Sequence, residues 1–82
     1  MNRAEIITTT KRFLSEEFEV DENRILPENN LHSTLDLDSL DYVDLVVVIE
    51  ENIGFKPTSY DLKAIVTFKD FYDLAEQKIV VA

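Results

Sequence analysis

The sequence predicts an all-α fold: a small four-helix bundle of three longer helices and one short helix, with a long first loop. Three observations carry that expectation. The 82 residues include only one Gly and two Pro, a composition that favours helices over turn-rich β structure. Apolar residues recur at three- and four-residue spacing in separate stretches, the period of a helix with one buried face. Residues that cap helices stand just ahead of those stretches. A chain of this length is expected to form a single domain over residues 1–82. A domain so small buries only about 60% of the surface its unfolded chain exposes, which leaves little room for a deep active site.

The first helix begins at Asn2, whose side chain can cap it with Glu5 as the capping-box partner. Ile6, Ile7, Thr10, Phe13, Leu14 and Phe18 give it an apolar stripe. From about Glu19 to Leu37 the periodicity is lost, and Pro27, Asn29, Asn30, Ser33 and Thr34 read as loop residues. Val20, Ile25, Leu26, Leu31, Leu35 and Leu37 punctuate that loop and are expected to pin it across the core. Asp38 caps the second helix, with Asp41 reinforcing its start, and the helix runs from Ser39 to about Asn52 and stops at Gly54. Pro57, Thr58 and Ser59 make a turn into a short helix from Ser59 to Ile65. Thr67 and Asp70 mark the last start, and Phe68, Phe71, Tyr72, Leu74, Ala75 and Ile79 form its stripe. The tail from Ile79 to Ala82 is expected to fray.

Charge and composition exclude several functions. Seventeen Asp and Glu against eight Lys and Arg give a formal net charge of −9. Nucleic acid and anionic membrane surfaces would repel such a chain, whereas basic protein surfaces complement it. No cysteine is present, which removes disulfides, thiolate metal sites and cysteine nucleophiles. No apolar run has the length of a signal peptide or of a membrane span. The expectation is a cytoplasmic monomer with no membrane insertion.

The second helix holds the functional information. Counting about 100° per residue from Ser39 puts Tyr42, Leu45, Val46, Ile49 and Ile53 on the core side. The neighbouring side gathers Ser39, Leu40, Val43, Asp44, Val47, Glu50 and Glu51. A small domain always leaves some Val and Leu in solvent, so apolar exposure alone says little. The charge pattern says more. Between Arg24 and Lys56 there is no Lys or Arg, while Glu28, Asp36, Asp38, Asp41, Asp44, Glu50 and Glu51 are acidic. A merely solvated helix usually interleaves both signs; one sign beside apolar residues fits a docking face for basic partners. Ser39 lies at the first turn, where unpaired N–H groups and the positive helix end favour a phosphate ester. By itself such a serine is more commonly an ordinary residue beside a cap.

The wording around Ser39 carries more. Leu35-Asp36-Leu37-Asp38-Ser39-Leu40-Asp41 resembles the Leu-Gly-x-Asp-Ser-Leu-Asp loading motif of acyl carrier proteins. Val43-Asp44-Leu45-Val46 through Ile49-Glu50-Glu51 resembles that family's recognition helix, and Lys63 to Phe68 its Lys-Ile-x-Thr-Val segment. The resemblance spans almost the whole chain. It implies the acyl-carrier type of bundle and a chain with no catalytic residues of its own. In that family a phosphopantetheinyl transferase moves 4′-phosphopantetheine from coenzyme A to the motif serine, here Ser39, and the arm's thiol carries the acyl group. Asp38 matches the acidic residue that assists the transferase and its metal ion. Asp41, Asp44, Glu50 and Glu51 match positions that meet basic patches on ketosynthase, acyltransferase and other acyl-processing enzymes. Leu40 and Val47 match apolar positions on that face, and Val43 one beside the entrance to an acyl pocket. The pocket is expected between Val43, Val46, Ile65 and Phe68. The Asp-Ser-Leu-Asp wording favours fatty-acid or polyketide synthesis, the alternative being an aminoacyl, peptidyl or D-alanine carrier. The departures are Asp36 in place of Gly, Thr34 in place of an acidic residue, Tyr42 in place of Thr or Gln, and Lys56-Pro57 in place of Ile-Pro.

Other readings are weaker. Asp36 and Asp38 open like a calcium loop, but positions five, six and twelve of such a loop fall on Leu40, Asp41 and Val47, so no metal site is expected. A hydrolase would need His32 beside Ser39, and no Gly-x-Ser-x-Gly elbow frames the serine. His32 reads as an ordinary loop histidine. An interaction module without a prosthetic group stays open, with only the loading motif against it.

Overall fold

Asn2 starts the first helix as the sequence predicts. Its side-chain oxygen accepts from the Glu5 N–H at 2.9 Å, and its own N–H donates to the Glu5 carboxylate at 3.1 Å. That closed box removes two unpaired donors from the helix end. The computed structural model describes residues 1–80, in which helix α1 spans Arg3–Phe18. Glu19 ends it in the left-handed region, at φ 54°.

The long connection is less irregular than its composition suggests. A 3-10 turn, Glu22–Arg24, is capped by Asp21, and a helix the sequence did not reveal, α2, spans Leu31–Leu35. Asn30, read from sequence as a loop residue, is its cap: the side chain accepts from the Ser33 N–H at 2.8 Å. Five residues are too few to establish a period, so only the i,i+4 pair Leu31 and Leu35, both buried, hints at it. Main-chain hydrogen bonds from Leu31 to Val66, Phe68 to Asn29 and Lys69 to Pro27 fasten the connection to the start of the last helix. Ile25 is buried as expected, whereas Leu26 is 40% exposed and pins nothing.

Helix α3 spans Asp41–Asn52, α4 Ser59–Ala64 and α5 Phe68–Val80. The starts of α4 and α5 repeat the device of the first. Thr58 exchanges hydrogen bonds with Asp61, and Thr67 with Asp70. Gly54 takes a φ of 100° just past α3, which a residue with a Cβ adopts at a cost. The tail expected to fray lies partly outside the described residues, at Val81 and Ala82, while Ile79 and Val80 belong to α5.

Helix α1 packs against α5 and α3. Ile6, Phe13 and Leu14 meet Leu45 and Ile49 of α3 and Phe68, Phe71, Tyr72 and Ala75 of α5 in one core. Val48 also enters it, although the wheel counted from Ser39 did not place it there. The architecture is all-α, with no strand among the described residues beyond an isolated bridge between Asn30 and Thr67. The radius of gyration, 11.5 Å, equals that of a close-packed chain of this length.

Candidate functional site

The segment before α3 is built by two aspartates. Asp38 accepts from the N–H groups of Leu40 at 2.9 Å and Asp41 at 3.0 Å, and the Asp41 carboxylate accepts in return from the Asp38 N–H at 3.1 Å. Regular helix therefore begins at Asp41 rather than at Ser39, and Ser39 and Leu40 occupy the turn that the pair encloses. The backbone enters this turn from Asp36, which adopts φ 52° and ψ 52°. Its N–H reaches the carbonyls of His32 and Ser33, and the Leu37 N–H reaches that of His32, closing α2 with a left-handed cap. Asp36 thus takes the conformation that the glycine of the resembling motif supplies at lower cost.

Ser39 is exposed, and none of the hydrogen bonds that shape the turn uses its hydroxyl. One expectation changes here. The N–H groups supposed free to hold a phosphate are taken by the Asp38 carboxylate, and two carboxylates beside the serine repel an anion. The turn is therefore not an ionic phosphate site.

The face beyond the turn stands as the wheel places it. Leu40 is 77%, Val43 64% and Val47 47% exposed, interleaved with exposed Asp44, Glu50 and Glu51; Asp41 is half-buried. No ion pair among the described residues reaches these carboxylates. Three of the eight cations pair elsewhere: Arg3 with Asp73 at 2.8 Å and Glu76 at 3.3 Å, Lys69 with Asp73 at 3.4 Å, and Lys78 with Asp61 at 3.8 Å.

Behind α3 lie two spaces. An inner apolar slot, too narrow for water, is lined by Leu31, Leu45, Ile49, Ile65 and Phe71 among others. An outer groove with room for about 310 Å³ of water is lined by His32, Tyr42, Ser59, Leu62 and Lys63. Of the four residues expected to line an acyl pocket, only Ile65 does so. Val43 points to solvent, Val46 is half-buried outside the slot, and Phe68 is spent in the core; the α3 residues that line the slot are Leu45 and Ile49, both on the core side of the wheel. His32 is not an ordinary loop residue. It lies on α2, half-buried, with Nδ1 at 2.6 Å from the Tyr42 hydroxyl and Nε2 at 2.9 Å from the Ile65 carbonyl.

A small helical fold that displays an exposed serine ahead of an acidic and apolar helix fits a carrier. Comparison with known proteins agrees. The family described as "Phosphopantetheine attachment site" matches residues 10–75. An acyl carrier protein from Coprothermobacter proteolyticus is 37% identical over 96% of this chain and 96% of its own length. One from Thermotoga maritima is 38% identical over 95% and 96%, and one from Thermosynechococcus vestitus is 29% identical over 96% and 98%. The chain belongs to the phosphopantetheine-attachment family of acyl carrier proteins. Its prosthetic group is 4′-phosphopantetheine, and members of the family are carriers without catalysis of their own.

Proposed function

We propose that residues 1–82 act as one cytoplasmic, monomeric carrier unit whose arm is esterified to Ser39. On it acyl intermediates travel as thioesters between enzymes of fatty-acid or polyketide-type synthesis. The arm's thiol supplies the thioester, as the chain itself has no cysteine. Ser39 supplies the attachment oxygen, Asp38 and Asp41 fix the turn that presents it, and the acidic helix meets basic patches. The transferase that loads Ser39 would be read by the same face as the ketosynthase and acyltransferase that follow. The observation that supports this reading most is the exposed Ser39, unencumbered, at the head of a helix whose outer carboxylates have no cationic partner within the described chain.

The test is single-site loading. Incubation with coenzyme A and a phosphopantetheinyl transferase is expected to add the mass of one arm, and Ser39→Ala to abolish the addition with the helical circular dichroism unchanged. Modification mapped to Ser33 or Ser59 would overturn the assignment.

A further inference from the structure

His32 and Leu62 line both the inner slot and the outer groove, so they form the partition between the two. Tyr42, on the groove side, is joined to that partition through His32. The hydrogen bonds fix how the ring is held. The Ile65 carbonyl can only accept, so Nε2 carries the proton towards it. In the neutral ring Nδ1 is then a bare acceptor, and the Tyr42 hydroxyl donates to it. The imidazole is thus tied at one side to α3 and at the other to the residue following α4, with α2 carrying it.

The groove lies within the reach of a group on Ser39, because Tyr42 follows the serine by less than one helical turn. An acyl chain arriving from that side meets the largely apolar surfaces of Tyr42, Leu62, His32, Ser59 and Lys63 before it reaches the inner slot. To pass on to Leu31, Leu45 and Ile49 it must swing the imidazole aside. That breaks two hydrogen bonds of partly buried groups, and the slot, too narrow for water, must also widen.

We infer that the His32–Tyr42 pair, held on the Ile65 carbonyl, is a latch that sets a minimum acyl length for admission to the inner slot. Short acyl groups stay in the outer groove, open to partner enzymes. Only chains with enough methylenes to offset the lost hydrogen bonds are sequestered. The inference rests on the carrier reading, with Ser39 as the point of attachment.

The experiment loads Ser39 from acetyl-, butyryl-, hexanoyl-, octanoyl- and decanoyl-coenzyme A with a transferase that tolerates acyl groups, and records Tm for each form. Wild type is expected to show a flat profile for the shortest chains and a rise beyond a threshold. His32→Leu removes both hydrogen bonds and should bring the rise forward by about two to three methylenes, one step of the series. Tyr42→Phe keeps the ring, loses one bond, and should advance it by about half as much. The His32 ring-nitrogen shifts of wild type should change only at the threshold length. Should His32→Leu fail to fold, Tyr42→Phe and the ring shifts decide. Coincident profiles for wild type and Tyr42→Phe, or ring shifts indifferent to chain length while Tm rises, would overturn the latch. If wild type accepts no acyl arm on Ser39, the carrier reading itself fails, an outcome recognised by mass before any melting curve is taken.

Discussion

Asp36 holds its left-handed conformation without a glycine's freedom. A residue with a Cβ loses roughly 1–2 kcal/mol there, and Asp somewhat less, because its short side chain bonds locally. Glycine would remove that strain while adding roughly 0.5–1 kcal/mol of backbone entropy to the unfolded chain. The balance favours glycine slightly. Asp36→Gly is expected to raise Tm by a few degrees, and Asp36→Val, with a branched Cβ, to lower it. Asp36→Asn, which keeps the conformation and removes the charge, isolates the electrostatic share. Thermal melts of the three variants check this. The sequence disclosed that Asp36 stands in an unusual place and could not disclose its φ. Asp38 was legible because its cap acts on near neighbours. His32 was not, because its partners lie ten and thirty-three residues away.

The helices were legible wherever the chain states both a cap and a stripe. Helices α1, α4 and α5 each open on a reciprocal pair three residues apart; those of α1 and α5 were read from the sequence, whereas Thr58, which pairs with Asp61 at α4, was read only as a turn residue. Helix α2 escaped because its signal is one asparagine and two leucines, and its stability comes from main-chain bonds to the segment before α5. Around Asp70 the cap can be titrated. The N–H groups of Thr67 first and Val66 next hold its carboxyl below the ordinary value of 3.8. A depressed folded value means stability that is fully present above the unfolded value and is lost as pH falls through the folded one. Asp70→Ala is expected to cost about 1 kcal/mol at neutral pH, a fall in Tm of roughly 4–8 °C. Its stability should also decline less steeply than wild type's below about pH 3.8. Melting curves from neutral pH to acid measure both.

At the scale of the molecule, charge is sorted rather than scattered. Arg3, Lys69 and Lys78 are engaged on α5 and α4, and the outer face of α3 keeps its carboxylates unpaired. Asp44→Lys and Glu50→Lys are expected to slow association with the transferase, with the loss fading at high salt as the Debye length falls from about 10 Å at 0.1 M to about 3 Å at 1 M. Val47→Ser removes apolar contact and should instead speed dissociation, with little dependence on salt. Glu16→Lys, exposed on α1, makes the same change in net charge elsewhere. Stopped-flow at two ionic strengths separates these cases, and equal slowing by Glu16→Lys would mean that net charge alone steers the encounter. This face was legible because a run of one sign needs no tertiary contact to be seen. The slot behind it was misread, since its lining is drawn from five helices that only tertiary packing brings together.

The pairing of α1 with α5 also has a consequence in time. Roughly fifty residues separate Phe18 from Phe68, and the Arg3–Asp73 ion pair spans most of the sequence. At the roughly 5–20 residues per second of synthesis, α1 leaves the ribosome several seconds before the helix that covers it. For most of that interval Ile6, Phe13 and Leu14 have at best α3 for shelter, and the nascent chain depends on the repulsion among its many carboxylates to stay apart from its neighbours.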